Sequence, residues 1–500
     1  MLKNLEDYVF LPDINGVHLY LVERTGEIWK QPMFCLPCYR TRGKVPSLFD
    51  WRHECPGSVR WQWKNGFLPI LEIHGENTLL ELLTAGEHLL IRKNEQTVRS
   101  WPEHPDPVGL FTESLTAQTR KWSNFIGSCR TPSILPNHHP DAWKSCLVQA
   151  FGVWRFRHPR YGVGTYGYSI HDSFMPATLS MVNILLEYGH AELAFDRMDY
   201  FLERFILEDG SNDYYGPSLA EYGMLLELCE RFGAQPGGPD WLNSHRKVLA
   251  RIVRYLIRMR NPLINGSGDL FLRLLPGVPE ADTRDIGGIY THNNAWVWRG
   301  MLAWKNIAGL LKLPEAFCEA QAEAEDLAEQ LRSAINSHLT PDGLVPYLIS
   351  PDFRLGDFQE TRNSVYANYR YYPELLDSGF LTREESLKLI EARETRHGEL
   401  EGMTLFHYQA VCPDDRELAP YGCDNWPIFP YGRALARLGE RERLIRLIDG
   451  HYKYHQTRDT FTAYESVEAD TPERRAITDW CVPAQLIYPG LLRELEKTAP

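Results

Sequence analysis

This chain lacks an excess of positive charge. Its 53 Lys and Arg residues are outnumbered by 66 Asp and Glu, a formal net charge of −13. That balance argues against a nucleic-acid backbone as the main partner. Long apolar runs are missing too, so no membrane span is expected. The opening segment MLKNLEDYVFLPDINGVHLYLVE carries Glu6, Asp7 and Asp13. It has no basic start followed by an apolar stretch and predicts no signal peptide. Cysteine is sparse: 10 residues scattered over 500 do not make a disulfide framework. Cys35-Leu-Pro-Cys38 has metal-ligand spacing, but there is no second such pair and only Cys55 lies nearby. A structural zinc normally needs four ligands. No glycine-rich phosphate loop, Ser–His–Asp order or zinc motif competes, and no cofactor is expected. These exclusions leave a cytoplasmic enzyme as the expectation.

What the chain has is aspartate placed before proline. Asp172 (to Pro176), Asp213 (to Pro217), Asp424 (to Pro427) and Asp479 (to Pro483) each precede, by three or four residues, a proline that opens an apolar run. Proline is tolerated in the first turn of a helix, where its missing N–H costs nothing. Each aspartate is therefore expected at or just before a helix mouth. Ordinary N-capping is one reading, since aspartate is a favoured cap. The other is a shared pocket: if the helices stand side by side with one polarity, their mouths pool carboxylates, the equipment for acid/base chemistry on a glycosidic bond. Aromatic residues make up 12% of the chain, with 14 Trp and 25 Tyr. Many cluster around these motifs, which suits stacking on sugar rings as well as core packing.

The first 100 residues read as strands. HLYLVE (18–23), SVRWQW (58–63) and FLPILEIHG (67–75) are short, apolar or alternating, and separated by Pro and Gly. A proline-rich break follows at 101–109, and a helix fits 112–127. From about 140 the period becomes helical. Runs near 141–156, 174–188, 190–206, 217–233, 241–259, 293–312, 314–338, 363–377, 382–396, 425–438, 440–454 and 480–496 make six consecutive pairs. In 190–206, Ala191, Ala194, Phe195, Met198, Phe201, Leu202 and Phe205 recur at helical spacing. The preceding run is apolar nearly all round and ends at Gly189. An apolar helix beside an amphipathic one predicts inner and outer layers. Irregular connections argue against a regular solenoid. The predicted fold is mainly α: a β-rich N-terminal domain (1–110), a linker with a helix (111–139) and an (α/α)6 barrel (140–500). The loops entering the inner helices share one end and are rich in Asp, Glu, Asn, Tyr, His and Trp.

Three segments carry a family likeness. HDSFMPATLSMVNILLEYGHAELAFDRMDYFLERF (171–205) resembles the "RDF-P" segment of neutral invertases, within the six-hairpin glycosidase superfamily. YGCDNWPIFPYGRALARLGERERLIRLI (421–448) resembles the superfamily's tyrosine–glycine–tryptophan–proline segment and the helix after it. The region 461–492 resembles the closing segment, where an aromatic–acid loop precedes the last helix. Trehalases and processing α-glucosidases share the pattern. The resemblance implies an inverting, exo-acting glycoside hydrolase on a carbohydrate substrate. Asp172 then matches the general acid and Glu465, after Tyr464, the general base. In glucoamylase-type enzymes the acid lies instead in the loop before the sixth barrel helix, where this chain has Glu280 and Asp282. Both stay as alternatives, with Asp172 then binding sugar hydroxyls.

Sugar-binding candidates are Tyr168, His171, Asp213, Tyr214, Tyr290, His292, Asn293, Asn294, Asn363, Asp424, Trp426, Tyr464, Asp479 and Trp480. Asn and Asp pair with vicinal hydroxyls, and Trp and Tyr stack on a pyranose face. Trp296 and Trp298 stand two apart on one helix, so at most one faces the pocket. Two other classes stay open. One is a sugar epimerase or isomerase using His171, His292 or His407 for proton transfer. The other is a carbohydrate-binding scaffold without catalysis.

Overall fold

The computed structural model describes residues 8–31, 49–134, 140–155, 158–167, 169–214, 218–261, 273–281, 286–351, 353–411, 421–469, 476 and 480–498. Its first part is two antiparallel sheets. Strands β1 (Tyr8–Pro12), β2 (Leu19–Glu23), β3 (Glu27–Gln31) and β4 (Phe49–Asp50) form one. β5 (Arg60–Lys64), β6 (Leu68–His74), β7 (Leu79–Ala85), β8 (His88–Lys93) and β9 (Thr97–Trp101) form the other. Side chains alternate faces along a strand. Here Val9, Leu11, Tyr20 and Val22 pack with Trp61, Trp63, Leu71 and Ile73. Phe10, Leu19, Leu21, Leu68 and Ile70 join the core of the helical part. β2 is buried on both faces, which is why LYLVE reads as a continuous apolar run. A connecting helix, α1 (Pro107–Ser128), follows, its N-cap Asp106 accepting from the Gly109 amide.

The helical part is a closed double ring. The inner helices are α3 (Met175–Glu187), α5 (Ala220–Phe232), α7 (Thr291–Leu310), α9, α11 (Ile428–Leu438) and α13 (Val482–Lys497). α9 runs through Arg362–Tyr366, a π-helical turn Ala367–Tyr371 and Tyr372–Ser378. Each inner helix packs on the next, and α13 packs back on α3. The outer helices are α2 (Ala142–Phe151), α4 (Ala191–Phe205), α6 (Gly238–Met259), α8 (Pro314–Ser337), α10 (Arg383–Thr395) and α12 (Arg441–His455). This is the predicted (α/α)6 barrel, with the expected six helices inside. α3 buries nearly all its side chains, whereas α4 buries one stripe including Ala194, Met198, Phe201 and Leu202.

Glycine sets the closest approach in the ring. A Cβ on Gly223 of α5 would overlap the Trp296 carbonyl of α7, and one on Gly300 would lie 2.7 Å from Gly223 Cα. Adjacent helix axes can close this far only without those methyl groups. At the barrel mouth, β10 (Glu399–Leu400), β11 (Met403–His407), β12 (Tyr421–Asp424) and β13 (Ser466–Glu468) form a small antiparallel sheet. No helix among the described residues is long and apolar enough to cross a membrane.

Candidate active site

The mouth sheet fixes two acidic residues beside each other. β12 pairs with β13 so that Asp424 faces Ser466. Just beyond, the Asn425 amide N–H donates to the Glu465 carbonyl (2.8 Å) and Asn425 Nδ2 to the Tyr464 carbonyl (2.6 Å). Glu465 is 8% exposed. Its Oε1 accepts from Trp426 Nε1 at 2.7 Å, and the Tyr166 phenol lies near the same carboxylate. Asp424 is held by Ser466 Oγ (2.5 Å) and by the Trp426 amide (3.0 Å). Burial pushes the Asp424 carboxyl up to about 7. The negative charge of Glu280 adds to this, while the Ser466 and Trp426 hydrogen bonds and Arg370 oppose it. Asp424 is thus a carboxyl that carries a proton near neutrality.

Next to this pair one guanidinium serves three carboxylates. Arg370, on the π-helical turn of α9, donates to Glu374 (2.7 Å), to Glu280 in the loop before α7 (2.9 Å) and to Glu221 of α5 (2.9 Å). All four side chains are under 10% exposed. The Arg370 guanidinium also lies 5.9 Å from the Trp426 ring. Burial pushes Glu374 up, with Arg370 opposing. A buried set with more carboxylates than cations does not ionise fully.

Several predicted sugar contacts are spent on the backbone instead. Asn293 accepts from the Ala220 amide and donates to the Val278 carbonyl. Asn294 binds both the amide and the carbonyl of Leu275. His292 Nε2 donates to the Pro279 carbonyl at 3.0 Å, and burial drives this imidazole down to about 3. The three are fully buried and staple the strand of chain that presents Glu280. Tyr290 is also buried, its hydroxyl donating to the Ile286 carbonyl. These four are corrections: polar side chains at a helix start met unpaired loop carbonyls before any ligand could.

The pooled aspartates are corrected as well. Of the four, Asp424 alone is buried in the carboxylate cluster among the described residues. Asp213 is exposed on a turn, its amide bonded to the Phe205 carbonyl. Asp172 is half-buried in the 3-10 turn Ser169–Ser173, and its charge acts on Arg197 of outer helix α4. N-capping is not their role: the caps of α3, α5 and α11 are Phe174, Leu219 and Pro427. Asp479, Tyr168, Asp282, Cys35 and Cys38 lie outside the described residues. Asn363 is exposed. Trp480 is buried, its ring tilted against Phe10 of the sheet at 6.0 Å, and Tyr464 is fully buried.

An aromatic wall leads to Trp426. Its ring meets Phe174 edge-on at 5.4 Å and Tyr161 at 6.2 Å. Tyr214 lies against Phe174, and its hydroxyl is 3.4 Å from His171 Nδ1. Below the mouth, a cavity of ≈ 90 Å³ runs down the barrel axis past Glu465, Arg370, Glu374 and Trp296. That is space for a few waters. Trp296 lines it while Trp298 turns to Phe380, as their two-residue spacing requires. The sequence reading missed Arg370, Glu374, Glu221 and Tyr166. Arg370 and Glu374, four apart on an apolar inner helix, were the available signal.

A bacterial glucoamylase solved with acarbose is similar over 98% of this chain and 86% of its own, at 10% identity and a TM-score of 0.55. The likeness is one of fold. A glycosidase solved in complex with glucose matches less well, with 11% identity, 73% and 99% coverage and a TM-score of 0.46. A GH63 mannosylglycerate hydrolase from Thermus thermophilus gives 12% identity, 68% and 96% coverage and a TM-score of 0.41. No protein-family model matches the chain. No curated protein matches it by sequence.

Proposed function

We propose that this chain is a glycoside hydrolase that removes a terminal sugar with inversion, Glu465 acting as general base and Glu280 as general acid. One observation carries the reading: two buried acidic residues from different loops meet around Arg370 and Trp426 at the barrel mouth. Inverting hydrolysis needs one protonated carboxyl at the leaving oxygen and one carboxylate that holds a water on the opposite face. Trp426 orients the Glu465 carboxylate, which suits a group that must aim a water. Glu280 is held by the Arg370 guanidinium, and the chain just before it is stapled by His292 and Asn293. Asp172, the first choice on sequence, is assigned here to substrate hydroxyls; its charge also acts on Arg197.

Histidine-based isomerisation has less support. His292 is committed to a backbone carbonyl, and His407 Nδ1 lies 2.8 Å from the Gln359 carbonyl.

The test is a set of three variants with product stereochemistry. Glu465→Gln and Glu280→Gln should each cut the rate ~10²–10⁴-fold, and wild type should release the inverted anomer in proton NMR. Asp172→Asn should raise KM more than it lowers kcat. Full activity in Glu280→Gln with an inactive Asp172→Asn moves the acid to Asp172. Retained configuration rejects the water-activating role of Glu465. Interconversion of free sugars without hydrolysis rejects the class.

A further inference from the structure

The outer wall of the barrel carries two charged faces that find no match within the chain. A groove of ≈ 800 Å³ runs between α6 and the α7–α8 turn and shares no residue with the cavity at the mouth. Trp304, Leu313 and Pro314 give it an apolar floor, and four cations of α6 line it: Arg246, Lys247, Arg251 and Arg254. Arg246 donates to the carbonyl and side-chain oxygens of Asn243. Among the described residues, the side chains of Lys247, Arg251 and Arg254 make no hydrogen bond or ion pair. Glu315 also lines the groove but reaches none of the four within ion-pair distance. Elsewhere on this acidic surface arginines do find carboxylates: Arg443 and Arg446 share Glu394, and Arg383 meets Glu440.

The next outer helix shows the opposite sign. Glu315, Glu319 and Glu329 of α8 are exposed, lie on one helical stripe and have no partner among the described residues. Glu325 beside them accepts only from Gln321. The acids on the flank of α8, Glu323 and Asp326, are already taken by Arg260 and Arg273. The two faces match in length. At 1.5 Å per residue, Arg246 to Arg254 spans about 12 Å and Glu319 to Glu329 about 15 Å.

We propose that this wall is the interface of a two-fold dimer, in which the acidic face of α8 from a second copy of the chain seats against the basic groove at α6. The helices α6 and α8 are consecutive in the outer ring and run the same way. A two-fold axis parallel to them and between them lays α6 of each chain over α8 of the other, so both contacts form at once. An axis across the helices would set α6 on α6, cation on cation. Helices of 22 and 24 residues side by side present a face of roughly 650 Å². Two such faces bury roughly 1,300 Å², within the range of stable interfaces. Leu310, 48% exposed at the end of α7, adds apolar area at the rim. Repulsion between two chains of net charge −13 is screened beyond about 8 Å at physiological salt. The seated pairs lie inside that distance. The inference is independent of the chemistry at the barrel mouth.

Sedimentation velocity of the full chain tests it. Wild type should be a dimer at roughly 50 µM in low salt and should dissociate as salt rises toward about 0.5 M. Lys247→Glu with Arg254→Glu makes both faces acidic, and Glu319→Lys with Glu329→Lys makes both basic. Each double variant should be monomeric, its dissociation constant raised roughly a hundredfold or more, because like charges then face each other. Mixed one to one, the two variants should form a heterodimer, since every contact again joins opposite signs. The chain with all four changes should dimerise with itself, both faces being inverted. All four positions are exposed, and unchanged circular dichroism establishes that each variant is folded. Three results overturn the proposal: a monomeric wild type, a dimer that persists in either folded double variant, or a mixture of folded variants that stays monomeric. Oligomers that grow beyond two with concentration reject the two-fold arrangement and overturn it as well.

Discussion

At the scale of single residues, Trp426 does three things. Its amide holds Asp424, its indole N–H holds Glu465, and its ring faces Arg370. Trp426→Phe keeps an aromatic ring and the amide, deletes the bond to Glu465 and leaves a smaller side chain. A hydrogen bond to a charged group is worth about 1.5–3 kcal/mol. If that bond aims the base, kcat should fall roughly tenfold to a hundredfold with KM little changed, by the usual conversion of energy to rate. An unchanged kcat in steady-state assays would separate Trp426 from catalysis. Asp424 offers a pH test. Its folded value lies above its ordinary one, so the stability it confers is complete below about 3.8 and is lost as pH rises to about 7. Asp377, pushed up to about 6 by burial, acts in the same direction. Carboxylates held low by partners, such as Glu72 and Glu394, act the opposite way in acid. The difference between wild type and Asp424→Asn isolates one group: the variant should gain relative Tm as pH rises from about 4 to about 7. A pH-independent difference in thermal scans would mean that Asp424 is already ionised.

At the scale of elements, the barrel depends on where inner helices touch. Gly223→Ala places a methyl group against the Trp296 carbonyl, backbone that cannot swing aside. Overpacking of this kind costs about 1–3 kcal/mol. Gly127→Ala, near the end of α1, meets nothing within 4 Å. It should instead be neutral or stabilising by up to about 1 kcal/mol, from helix propensity. Urea unfolding midpoints decide both, and equal midpoints would show that α5 and α7 can part without loss. The π-helical turn in α9 is the other element that matters. Such turns cluster at functional sites, and this one sets Tyr369 and Arg370 toward the carboxylates. A simple 3.6-residue period through 363–377 locates the helix and misplaces its polar residues, because the extra residue per turn shifts every later side chain around the axis.

At the scale of the whole molecule, the sheets and the barrel share a core rather than a linker. Phe10, Leu21 and Leu68 belong to the same cluster as the inner helices. Trp63 Nε1, Ser145 Oγ and Gln149 Nε2 all donate to the Thr460 carbonyl. Calorimetry should show one cooperative transition, not a separate melting of the strands. Trp63→Phe should lower its midpoint, losing a buried hydrogen bond worth about 1 kcal/mol and leaving the other donors in place. Two resolved transitions would contradict the shared core.

Architecture was legible in the chain because periodicity is a local signal. Strands alternate, helices repeat every 3.6 residues, and burial follows the pattern. Thus LYLVE, the apolar α3 and the amphipathic α4 were readable one by one, and their pairing gave the double ring. Glu465 was singled out only through the family resemblance of its loop, and Asp424 as an acid before a helix. Which polar groups would be consumed was not legible. Asn293, Asn294 and His292 look like sugar ligands in a sequence, yet whether a loop carbonyl or a substrate claims them depends on a neighbour 13 to 19 residues away. Arg370 draws Glu221, Glu280 and Glu374 together from positions 149, 90 and 4 residues away. Local sequence thus determined the elements and their layers. Only tertiary structure decided which carboxylates meet, because desolvation and charge pairing act through space and are set by contacts that no local pattern encodes.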